Sequence, residues 1–221
     1  MKKFGFTLAE VLITLGVIGV VAAMTMPTLI KEYQKHVWVN QLKKSVSTIE
    51  NGFKMAMAES GVDKLVDSEL YRELYNGNSC HCYMGTNLNA NFENKLKEYF
   101  KIISIQDINR QDYRFLNGTT APINFNREIL LSDGSSILLI NSGPDITQLS
   151  SYENSIQELT IDINSSRRGP NQIGRDVFVI GINIRGNVIR GNRYAGACDS
   201  NKIVGIDRFD CIVKNGWKMD Y

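Results

Sequence analysis

Few residues in this chain are suited to covalent, metal or charge chemistry, and they fall in three places. Cys80, His81 and Cys82 lie together, with Cys198 and Cys211 far downstream. Thiolates and imidazoles in sets of four hold zinc, but the zinc knuckle has two residues between its paired cysteines, and here only His81 intervenes. Disulfides are the favoured reading. Four cysteines allow three connectivities, and a Cys80–Cys82 bridge would be strained, so cross-pairing with the distal cysteines stays open. The second place is DINSSRRGPNQIGRD, residues 162–176. Asp162, Asn164 and Ser166 alternate like the first ligands of a calcium loop, but Arg167 stands where such a loop turns on glycine and Ile173 where it closes with glutamate. Asp162, Asn164 and Asp176 are therefore the calcium candidates, set against turn chemistry around Gly169 and Pro170. The third is Glu10, a lone carboxylate in an apolar run. The two histidines, His36 and His81, have no serine or carboxylate in a triad order, and neither GxSxG nor a phosphate loop is present. No enzymatic activity is expected, and no cofactor beyond calcium.

Those residues need elements to hold them. The chain has 221 residues, 43% hydrophobic and 22% charged, which suits one globular domain plus an anchoring segment. Its formal charge of +2 gives no basic balance, so nucleic acid is not a predicted partner. Lys2 and Lys3 precede an apolar run in which Glu10 is the only charge between residues 6 and 30. As a helix that run would span roughly 37 Å, enough for a hydrocarbon core of about 30 Å. The early lysines place its start on the cytoplasmic side. No small-residue cleavage site ends the run, so it reads as retained rather than as an ordinary signal peptide. A carboxylate in such a segment is a functional residue by default, since at mid-membrane it costs about 2.5–3.5 kcal/mol. Pro27 withdraws a backbone donor and is expected to kink or locally melt the helix. Gly16 and Gly19 permit close helix approach. An exported segment followed by an even cysteine count points to a disulfide-permissive compartment.

Beyond residue 30 the pattern changes. Trp38, Leu42, Val46, Ile49, Phe53 and Met57 form one apolar stripe at helical spacing, with Lys43, Lys44, Glu50 and Lys54 off it. A single helix over residues 6–59 is predicted, membrane-spanning over 6–30 and an amphipathic spine over 31–59. Gly61 breaks it. Residues 60–127 read as a connecting region with short helices near 65–75 and 91–100. Residues 128–221 read as an antiparallel sheet: Asp133-Gly134 sits between apolar runs, Leu159, Ile161 and Ile163 alternate, and a second hairpin turns near Arg185, Gly186 and Asn187. A sheet with one apolar face needs a cover, and the stripe supplies it. The predicted fold class is α+β, a long N-terminal helix packed on a C-terminal antiparallel sheet.

The order Gly5-Phe6-Thr7-Leu8-Ala9-Glu10 after a short basic leader, with Gly19 and Pro27 further on, resembles the prepilin signature of type IV pilins and type II secretion pseudopilins. The resemblance covers residues 1 to about 35. It implies a leader, residues 1–5, cut between Gly5 and Phe6 by a prepilin peptidase, N-methylation of Phe6, and a Glu10 that meets the new amine of a neighbouring subunit during assembly. It also implies a disulfide that staples the C-terminal loop through Cys198 and Cys211. The partners it implies are copies of the chain or other pilin-like subunits, the inner-membrane assembly platform and the membrane. The location it implies is the bacterial inner membrane in a single pass with a periplasmic or extracellular head, then a pilus or pseudopilus. The alternative is a membrane-anchored extracytoplasmic binding domain that never polymerises.

Overall fold

The computed structural model describes residues 5, 7–74, 90–110, 112–121, 125–140, 155–190 and 209–220. The chain divides into two compact units, residues 1–37 and 38–221. Helix α1, Leu8–Glu59, contributes to both.

In the first unit the helix carries no charge from residue 11 to residue 30, where it is apolar around its circumference and exposed. Leu8, Leu12, Ile13, Leu15, Ile18, Met24 and Leu29 are among its exposed large side chains. It is the one helix among the described residues long and apolar enough to cross a membrane. The helical assignment passes through Pro27 without a break, although the ring leaves the carbonyl four residues back without its usual donor.

The second unit is an α+β body. After α1 come a 3-10 turn at Leu65–Asp67, helix α2 at Glu69–Leu74 and helix α3 at Ala90–Tyr99. The strands follow: β1 Ile102–Arg110, β2 Arg114–Phe115, β3 Phe125–Leu131, β4 Ser136–Ile140, β5 Ser155–Asp162, β6 Gln172–Ile173, β7 Val177–Asn183 and β8 Val188–Arg190. Helix α4, Phe209–Lys214, comes last. The sheet runs β1-β3-β4-β5-β7-β6-β2, with β8 also on β7. Its long neighbours are antiparallel, as the two hairpins require. The sheet as a whole is mixed, because two-residue β6 pairs in parallel with β2 and with β7.

Side chains alternate across this sheet with the two-residue period of a strand. Ile129, Leu131, Ile137, Leu139, Leu159, Ile161, Phe178, Ile180 and Ile182 share one core with the second half of α1. Leu42, Ile49 and Phe53 of the predicted stripe are buried there, and Trp38, Val46 and Met57 pack against them half-buried. The other face carries a smaller core of Tyr113, Ala121, Phe125, Leu138, Ile173 and Val177. There the Tyr113 and Phe125 rings meet edge to face at 4.7 Å.

Polar pins set the helix in register on the sheet. In the β3–β4 turn Gly134 takes φ +91°, and Asp133 Oδ1 accepts from the Ser135 amide and hydroxyl. The other carboxylate oxygen accepts from Thr48 Oγ1 at 2.8 Å. Two residues along the helix, Glu50 accepts the Val188 amide at 2.9 Å. Gly52 has no Cβ because the Phe100 ring occupies that space, 2.3 Å from where one would sit.

Candidate functional site

Two places carry the polar chemistry anticipated from the sequence. The first is the start of α1. Gly5 is exposed, and Phe6 lies outside the described residues. Thr7 and Glu10 form a reciprocal pair. Glu10 Oε2 accepts from the Thr7 amide and the Thr7 hydroxyl, both at 2.8 Å, and the Glu10 amide donates to Thr7 Oγ1 at 3.3 Å. This is a capping box, in which side chains satisfy amides that the first helical turn leaves without acceptors. The carboxylate also sits at the helix end where the backbone dipole favours negative charge. Part of the penalty for a charge in an apolar segment is thus offset by its own helix. The sequence signal for the cap was Thr7-x-x-Glu10, which attention to the apolar run passed over.

The second place is the loop between β5 and β7. Asp162 and Asp176 are both fully buried. Asp162 accepts the Asn164 amide at 3.0 Å. Asp176 uses both oxygens on the backbone, accepting Asn171 N–H at 2.8 Å and Gln172 N–H at 2.6 Å. Burial raises the Asp176 carboxyl above the ordinary aspartate range, and those backbone donors only partly counter it. The loop is not built like a calcium loop turning on its sixth residue. Its left-handed residues are Ser165 at φ +73° and Asn171 at φ +54°, so Arg167 meets no demand for glycine.

This loop is tied to the sheet by Glu128, a residue that sequence reasoning did not single out. Glu128 is fully buried on β3. Its Oε1 accepts from Ser136 Oγ at 2.6 Å, Ser165 Oγ at 3.0 Å and the Ser166 amide at 3.0 Å. Its Oε2 accepts from Gln106 Nε2 at 2.6 Å. Gln106 in turn accepts from Arg167. Burial alone would raise this carboxyl, but the donors from Ser136, Ser166, Gln106 and Ser165 together outweigh it and hold it below the usual glutamate range.

Cys211 is buried on α4 and is disulfide-bonded. Cys80, His81, Cys82 and Cys198 lie outside the described residues. Among the described residues no three His, Cys, Asp or Glu side chains gather as a metal centre. The stretch around His36 belongs to α1.

The family described as a prokaryotic N-terminal methylation motif matches residues 1–26. The chain carries the prepilin-type signature of type IV pilins and pseudopilins. That match holds the Gly5–Phe6 junction, Thr7 and Glu10 in one segment and fits a processed, membrane-anchored single-pass subunit. Neither a curated protein nor a solved structure matches the chain.

Proposed function

We propose that this chain is a structural subunit of a type IV pilus or a type II secretion pseudopilus. The observation that carries the reading is the match over residues 1–26 on a helix that is apolar and exposed in its first half. The second half of the same helix is buried in the core of the globular unit. Prepilin peptidase cuts between Gly5 and Phe6, and Phe6 is then N-methylated. The new amine meets Glu10 of a neighbouring copy in an apolar environment, where the attraction is weakly screened and sets the register between subunits. Thr7 holds Glu10 Oε2 and leaves Oε1 for that encounter. Pro27 provides the weak point at which the helix adjusts as it leaves lipid for the filament. The globular unit lies outside the cytoplasm, with Cys211 and Cys198 as the C-terminal staple, and the assembly platform of the inner membrane supplies the other contacts.

Co-expression with a prepilin peptidase tests the processing step. The expected product begins at N-methylated Phe6; a chain retaining Met1 would overturn the reading. Glu10→Ala is expected to be processed yet fail to assemble. Filaments from that variant with normal yield and register would remove Glu10 from the mechanism.

A further inference from the structure

We propose that the end of the globular unit at which α1 enters it is a docking surface for anionic phospholipid headgroups. The chain has two tryptophans, and both lie here, each with a cation over its ring. The Arg175 guanidinium, in the turn before β7, sits 5.5 Å from the centre of the Trp38 ring. Lys43 Nζ sits 5.3 Å from the centre of the Trp217 ring, just after α4. Lys44 Nζ donates to the Asp133 carbonyl of the β3–β4 turn at 3.4 Å. Three segments distant in sequence thus converge on α1 between residues 38 and 44, about two helical turns. Both tryptophans pack on the core by part of their surface and remain partly exposed. Trp217 holds φ +63°, a left-handed conformation uncommon for a bulky residue. It sets the indole beside Lys43 and edge to face with Phe209 at 6.1 Å.

The charge at this end is one-sided. Residues 31–44 hold four lysines and one glutamate, and that glutamate, Glu32, is paired with Lys35 at 2.9 Å. Lys43 and Lys44 are exposed, as are Lys218 beside Trp217 and Arg168 in the loop that carries Arg175. The acids of the same segments are turned inward or already engaged. Asp162 and Asp176 are fully buried. Asp133 accepts from Thr48 and Ser135, and Asp220 accepts from Asn215 Nδ2 at 2.7 Å. The exposed cations therefore face solvent with little carboxylate to offset them, and a surface of phosphate charge is their complement.

Chain connectivity selects the lipid as that partner. Trp38 follows Ile30, the last residue of the uncharged apolar run, by eight positions. Even fully extended, that link reaches only about 28 Å. A tether this short presents the surface to headgroups at an effective concentration of about millimolar or above. Indole rings favour the headgroup level of a bilayer, and each Lys or Arg near an anionic surface favours the docked state about fivefold. The inference rests on the anchoring of the apolar helix in a bilayer, and on neither cleavage nor polymerisation.

The test uses the full chain reconstituted in vesicles of phosphatidylcholine alone, or of equal parts phosphatidylcholine and phosphatidylglycerol. Acrylamide quenching of tryptophan fluorescence is the readout, and Trp38 and Trp217 are the only tryptophans that report. Quenching is expected to be weaker in the anionic vesicles. That protection is expected to vanish at about 1 M salt, where charge is screened beyond about 3 Å. Lys44→Gln is expected to lower the ratio of protected to quenched protein about fivefold. Lys44→Glu combined with Lys218→Glu, both at exposed positions, is expected to remove the difference between the two vesicles. Equal quenching of the wild-type chain in both vesicles would overturn the proposal, as would protection that survives high salt. Protection that rises with protein density and ignores lipid charge would assign the surface to a second copy of the chain and overturn it too. Flotation with the neutral vesicles reads the anchor separately. A chain that floats yet is quenched equally loses the docking surface alone, whereas one that fails to float loses the anchoring as well.

Discussion

Replacing Glu128 by glutamine changes one oxygen to an amide nitrogen and leaves the side-chain volume intact. The consequence follows from the four donors around it. The remaining oxygen would keep the Oε1 position, where three donors converge. The new NH2 would then face Gln106 Nε2, a donor against a donor. Gln106 has no free way to turn over, because its Oε1 already accepts from Arg167. One charge-assisted bond is lost outright, the other three lose their charge, and one donor is left unmatched in the interior. Hydrogen bonds to a charged group contribute about 1.5–3 kcal/mol and an unmatched buried polar group costs about 1–3 kcal/mol. A loss of about 2–4 kcal/mol at pH 7 is expected, which for a domain of this size lowers the midpoint by roughly 4–16 °C. The pH dependence gives a second readout. The folded Glu128 carboxyl lies below its ordinary value, so its contribution is present in full above the unfolded value of about 4.3 and is lost as pH falls through the folded one. Wild-type and Glu128→Gln stabilities should therefore draw together as pH falls below the unfolded value and on through the lower folded one. Thermal unfolding followed by circular dichroism at pH 7 and at stepwise lower pH measures both effects. Equal midpoints at pH 7, or a difference that persists undiminished into acid, would refute the reasoning.

Two further substitutions probe the seat of α1 on the sheet. Gly52→Val places three carbons where the buried Phe100 ring stands 2.3 Å from the ideal Cβ position. Overpacking of about 1–3 kcal/mol should show as a lower denaturant midpoint, and an unchanged one would mean that the ring moves freely. Asp133→Ala removes the acceptor of Thr48 Oγ1, Ser135 N–H and Ser135 Oγ. A loss of about 1–3 kcal/mol is expected, and Thr48→Ala added to it should cost little more in a double-mutant cycle.

The helix was legible because its signals repeat. Leu42, Ile49 and Phe53 recur at helical spacing, and the side chains at those positions are the ones buried against the sheet. The two hairpins were legible because each turn needs a left-handed residue and has glycine there, Gly134 at φ +91° and Gly186 at φ +72°. Strand β1 was not legible. Adjacent Ile102 and Ile103 break the alternation, and as the edge of the sheet β1 leaves Ile103 64% exposed. Two-residue β2 and β6 have no period to detect. Glu128 escaped notice because a carboxylate in a strand reads as solvent-facing. Its burial depends on Ser136, Ser165, Ser166 and Gln106, which only the tertiary fold brings together. In the loop after β5, alternation of Asp162, Asn164 and Ser166 was visible in the sequence. The conformations of Ser165 and Asn171 that shape its interior were not.

The central claim is that residues 1–26 mark a chain made to be cut and assembled. Mass spectrometry of the N-terminal peptide, after expression with an active and with an inactive prepilin peptidase, tests it most directly. The account predicts N-methylated Phe6 as the first residue with the active peptidase, and Met1 with the inactive one. Met1 retained under both conditions, or a cut at any bond other than Gly5–Phe6, would contradict it.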